Sequence, residues 1–83
     1  MRLYHVTTEK KLARYRSNRI PQILPPVRGF STEAAAWYWA RRTGRSIVLR
    51  VETPDAVTYK LPDHHNRHGC AYWCDRAVPL EVA

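Results

Sequence analysis

His5 stands in the run Leu3-Tyr4-His5-Val6-Thr7, with Thr7 two residues on. In extended backbone, alternate residues share a face, so an imidazole and a hydroxyl would point the same way. Together they offer hydrogen bonds to a polar ligand, and imidazole is the side chain that titrates near neutrality. The residues alone leave two roles open: a ring facing a ligand cleft, or a half-buried ring satisfied by a backbone carbonyl.

A second group of chemistry-bearing residues lies near the C-terminus: His64, His65, His68, Cys70 and Cys74. These are zinc-ligand types, but the spacing lacks a Cys-x-x-Cys hook. The expectation is a polar loop with its histidines in water, its cysteines packed as small hydrophobes, and no metal. On a strand the two cysteines would sit about 13 Å apart, too far for a disulfide, so reduced thiols are expected. A third group is Trp37-Tyr38-Trp39. Successive helical residues diverge by about 100°, so the three cannot all face inward. Trp37, with Ala34 and Ala40, reads as the buried face, and Tyr38 beside Arg41 and Arg42 as a wetter one suited to stacking on a flat ring.

Charge points to the kind of partner. The net charge is +7, but residues 1–50 carry eleven Lys/Arg against Glu9 and Glu33, giving +9, while residues 51–83 sum to −2. Eleven of the fourteen cations are arginine, the side chain suited to bidentate contact with phosphate. An anionic partner is therefore expected: a dinucleotide, a nucleic acid or an acidic protein surface. No apolar run approaches the roughly 20 residues that a bilayer span requires, and no secretion signal opens the chain. The reading is a cytoplasmic protein without a membrane partner.

The elements that must position these groups fit one domain over residues 1–83, since so short a chain cannot build two cores. Residues 2–7 alternate as a strand, and Thr7 or Thr8 can cap a helix through Lys10–Arg19 that ends at Ile20-Pro21. Prolines 21, 25 and 26 make the stretch to Gly29 a stiff loop. Ser31-Thr32 cap the strongest helix signal in the chain, Glu33 to Thr43, with Arg41 and Arg42 in its last turn and Gly44 as its stop. Residues 47–52 and 57–61 alternate as strands, a polar loop runs on through Gly69, and 71–74 and 80–82 read as further strands. The order β-α-α-β-β-β implies an α+β fold: two N-terminal helices and a small, mainly antiparallel sheet.

Leu3-Tyr4-His5-Val6-Thr7, the short helix after it and the proline-bearing loop resemble the opening of the histidine-type ADP-ribosyltransferases. That group includes diphtheria-toxin-like enzymes, poly(ADP-ribose) polymerases and bacterial DNA-modifying toxins. Arg28-Gly29-Phe30-Ser31-Thr32, leading into the alanine-rich helix, is similar to the family's second motif. Tyr72-Trp73-Cys74-Asp75 and Val78-Pro79-Leu80-Glu81 are similar to its closing strand and tail. The resemblance implies that the cofactor and substrate is NAD. His5 and Thr7 would contact ribose, Phe30 and Tyr38 would hold the nicotinamide, Ser31 would belong to the same cofactor site, and Arg2 or Arg28 would meet phosphate. His5 and Glu81 would be the catalytic pair, with ADP-ribose passing to a nucleic acid or a protein in the manner of toxins or phage effectors. The chain departs from the family where its catalytic glutamate usually stands, since Cys70-Ala71 occupy that place. The alternative is a different class: a non-enzymatic basic module that binds nucleic acid, or a small toxin-like protein that binds an acidic partner.

Overall fold

A computed structural model describes residues 1–80. The first strand, β1 (Arg2–Thr7), alternates as its sequence requires, with Leu3, His5 and Thr7 buried on one face and Tyr4 and Val6 half-buried on the other. Helix α1 (Glu9–Arg16) starts where Thr8 Oγ1 accepts the Lys11 N–H, at 3.2 Å. It is shorter than the expected Lys10–Arg19. None of its residues is fully buried, so little packing holds a further turn, and Ser17 closes it by donating through Oγ to the Arg14 carbonyl at 2.8 Å.

The proline-bearing stretch is more ordered than a loop. It holds β2 (Gln22–Ile23) and β3 (Val27–Phe30). Each proline falls outside these strands, where the missing N–H breaks no ladder. Helix α2 (Glu33–Thr43) begins and ends as its signals dictate, with Thr32 Oγ1 accepting the Ala35 N–H and Gly44 left-handed at φ 69°. Its buried face differs from the expected one. Ala35, Ala36 and Ala40 face the sheet while Ala34 is exposed and Trp37 half-buried, because only methyl side chains let the helix lie this close.

Strand β4 (Ile47–Glu52) follows as expected. After a single 3-10 turn, β5 (Thr58–Asn66) and β6 (Gly69–Cys74) form a hairpin. The expected polar loop through Gly69 is thus mostly strand, with its turn confined to Arg67 and His68. Polarity misleads here because β5 is an edge strand open to water. A final short strand, β7 (Val78–Pro79), pairs with β2. Of the strand expected at 80–82, Glu81 and Val82 lie outside the described residues, and Leu80 N–H bonds to the Pro21 carbonyl at 3.0 Å.

The five long strands make one antiparallel sheet in the order β4-β1-β3-β6-β5. Helix α2 covers one face through Phe30, Ala35, Ala36 and Ala71. On the opposite face Leu3, Val27, Val51 and Cys74 pack beneath Ile23 and Val78 of the β2–β7 pair, with Tyr15 of α1 alongside. The architecture is α+β, with two helices and a mainly antiparallel sheet.

Candidate functional site

Pairing within the main sheet is uneven at its centre. Strand β1 pairs with β4 along its whole length, from Arg2↔Glu52 to Thr7↔Ile47, but with β3 only at Tyr4↔Phe30. Where β1 and β3 part, the His5 side chain bridges them. Its Nδ1 lies 2.5 Å from the Arg28 carbonyl of β3, and its Nε2 lies 3.2 Å from the Tyr15 hydroxyl of α1. A carbonyl can only accept, so Nδ1 carries the proton and Nε2 accepts from Tyr15. Burial holds the imidazole below its ordinary pKa, against the opposing pull of the Arg28 carbonyl, and the Lys11 ammonium depresses it further. The ring is neutral at pH 7.

Beside this bridge opens a cleft of about 340 Å³. His5, Gly29 and Tyr15 line it, and Phe30, Ala71 and Trp39 supply apolar surface. Phe30 and Trp39 meet at a tilt, their ring centroids 6.3 Å apart. Three cations converge from different elements: Lys11 from α1, Arg28 from β3, and Arg45 from the turn after α2. The irregular stretch of β5 between Leu61 and Asn66 adds His64. No Asp or Glu is among the lining residues, so the cleft favours an anion.

Of the residues singled out by sequence, the fold brings His5, Arg28 and Phe30 together here. The other described candidates lie elsewhere. Arg2 pairs with Glu52 at 2.9 Å on the exposed end of β1. Thr7 is 1% exposed and away from the cleft, and its hydroxyl has no partner among the described residues. Ser31 knits β3 to β6: its Oγ accepts the Cys70 N–H at 3.0 Å, and its own N–H bonds to the Cys70 carbonyl at 2.8 Å. Tyr38 packs away from the cleft against the hairpin turn, 5.3 Å from the His68 ring, with the Arg42 and Arg67 guanidinium groups over its face. Arg42 also donates to its hydroxyl, which pulls the phenol below its usual pKa. Glu81 lies outside the described residues.

Tyr15, Lys11, Trp39, Arg45 and His64 complete the cleft, and sequence reasoning did not assign them to it. Two of them carried a signal: Trp39 as the third member of an aromatic run on one helix, and His64 as one of the histidines gathered near the C-terminus. No three His, Cys, Asp or Glu side chains among the described residues converge as metal ligands. Cys74 is buried and Cys70 half-buried, both as free thiols. No helix among the described residues is long and apolar enough to cross a membrane. Comparison with known protein families, with curated proteins and with solved structures finds nothing that matches the chain.

Proposed function

We propose that the cleft binds NAD or an ADP-ribose-like nucleotide, as an ADP-ribosyltransferase-like domain would. The observation that carries this reading is the convergence of Lys11, Arg28 and Arg45 on a cleft walled by Phe30, Trp39 and His5, with no carboxylate among its lining residues. Cations suit the phosphates, and the aromatic pair suits a flat ring. The neutral His5 is a fixed wall with both nitrogens engaged, and a sugar hydroxyl reaching Nε2 would have to share it with Tyr15. Phe30 keeps the ring-holding role implied by the resemblance, and Trp39 takes the one assigned to Tyr38.

Binding is better supported than transfer. Ribosyl transfer develops an oxocarbenium-like charge that a positioned carboxylate stabilises. At the centre of β6 the lining residue is Ala71, and the residues described bring no acid to the cleft. Occupancy without consumption is the reading, and an acid supplied by Glu81 is the condition for turnover.

Thermal stabilisation by NAD tests it. Ligand at tenfold its Kd stabilises the native state by about 1.4 kcal/mol, which for a domain of this size raises Tm by roughly 6–11 °C. Trp39→Ala should abolish that shift at little cost to the unliganded Tm, because Trp39 is 42% exposed. No shift at millimolar NAD in the parent protein would reject the reading.

One arrangement favours nucleic acid instead: Arg42, Arg67 and His68 gather around Tyr38 on the outer surface. A binder acting there should lose affinity steeply with salt, and neutralising Arg42 should flatten the slope.

A further inference from the structure

Next to the Phe30 and Ala71 side of the cleft, on the face of the sheet that α2 covers, two further aromatic side chains lie beyond the helix core. Phe30, Ala71 and Leu61 form one cross-strand row on β3, β6 and β5, and pack under the helix. Two residues along each strand, the next row on that face is Arg28, Trp73 and Tyr59. The rings of Trp73 and Tyr59 lie 4.8 Å apart at 35°, and Tyr59 is 43% exposed. They form a shelf that reaches the open edge of the sheet. Its inner end is Arg28, which also lines the cleft.

Strand geometry sets the span. Two residues of rise are about 6.7 Å and two strand spacings about 9.6 Å, so the Phe30 and Tyr59 positions are about 12 Å apart. A ring seated on Phe30 and Trp39 leaves the shelf bare. Arg28 adjoins both stations, two residues from Phe30 on β3 and directly across from Trp73 on β6. The cleft volume of about 340 Å³ is at the low end for a ligand site, which suits half a dinucleotide better than all of it.

We propose that this shelf is the second station of a two-ended site: the cleft takes one half of the dinucleotide, Arg28 meets the pyrophosphate, and Tyr59 and Trp73 stack the second base. The order ring, cation, ring follows that of the ligand. The inference rests on the nucleotide-binding reading of the cleft, and it adds which ligand the protein prefers: a full dinucleotide over a mononucleotide.

Titration calorimetry with NAD and with nicotinamide mononucleotide separates the two claims. The parent should bind both, NAD more tightly. Tyr59→Ala, a change at an exposed position, should weaken NAD roughly five- to 150-fold, the worth of one stacked base, and leave the mononucleotide unchanged. Tyr59→Trp should restore NAD affinity. If the parent binds both ligands equally, or Tyr59→Ala weakens both alike, the shelf is overturned while the cleft reading stands. If neither ligand binds the parent, the cleft reading itself falls. If neither binds, but a single-stranded oligonucleotide does and loses affinity on Tyr59→Ala, the shelf belongs to nucleic acid and the dinucleotide proposal is overturned.

Discussion

Gly29→Ala is the sharpest test of how the centre of the sheet is built. A Cβ at this position would lie 2.9 Å from Leu3 Cβ, 3.1 Å from the Tyr4 carbonyl oxygen and 3.3 Å from its carbon. Two of these atoms are backbone and the third is the root of a fully buried side chain, so no flexible tip can swing aside. Relief requires β1 and β3 to move apart by several tenths of an ångström, at the one place where they are paired. Overpacking of this kind costs about 1–3 kcal/mol, a fall of roughly 4–24 °C in Tm for a domain this size.

The same movement lengthens the His5 to Arg28 bridge, because its two ends ride on the separating strands. Thermal melts give the first quantity, and the nitrogen chemical shifts of His5 report the second as loss of a single fixed tautomer. Gly44→Ala is the control, because it adds backbone strain at φ 69° with nothing within 4 Å of the new methyl. Strain of that sort costs about 1–2 kcal/mol and should leave the His5 signals in place. A Gly29→Ala protein that melts within about 2 °C of the parent, half of what 1 kcal/mol produces, would refute the reasoning.

Two further outcomes are expected. Because the folded pKa of His5 lies below the unfolded value of about 6.5, the unfolded chain takes up a proton that the folded chain resists. Stability contributed by this site is therefore complete above that pH and declines as pH falls below it, and His5→Gln should flatten the decline in denaturant titrations between neutral and acidic pH. Thr32→Ala removes both a helix cap and the 2.7 Å bond that Thr32 Oγ1 donates to the His68 carbonyl. The combined cost is about 1.5–2.5 kcal/mol, or roughly 6–20 °C in Tm, and an unchanged melt would mean that water replaces both bonds.

Local signals were readable where chemistry and geometry coincide in a few residues. Thr32, Glu33, the alanine run and Gly44 fix α2 to the residue, and the alternation in β1 and β4 needs no partner to be seen. Strand β3 was not legible as such, since its four residues follow three prolines and include a glycine. Its strand character comes from β6, more than forty residues on, through Val27↔Cys74 to Phe30↔Ala71. The same distance effect hid most of the cleft. His5, Arg28 and Phe30 lie in short motifs, whereas Tyr15, Arg45 and His64 reach the cleft only because the sheet order places β1 beside β3 and β6 beside β5. The buried face of α2 is not the Trp37 face its aromatics suggest, because close packing on the sheet selects Ala35, Ala36 and Ala40.

The two bonds of Thr32 make α2 depend on the hairpin opposite it. Gly69 fits closely there: a methyl on it would come 2.7 Å from Thr32 Oγ1 and 3.2 Å from Ala35 Cβ. The first turn of the helix and the β5–β6 turn are thus one joint, fastened by the Thr32 hydroxyl and by the bond that Asn66 Nδ2 donates to the Ala35 carbonyl at 3.1 Å. When that turn opens, the capping hydroxyl loses its hold on the His68 carbonyl and α2 loses a neighbour in the same event, so amides at the start of the helix should exchange with solvent in step with those at the tip of the hairpin.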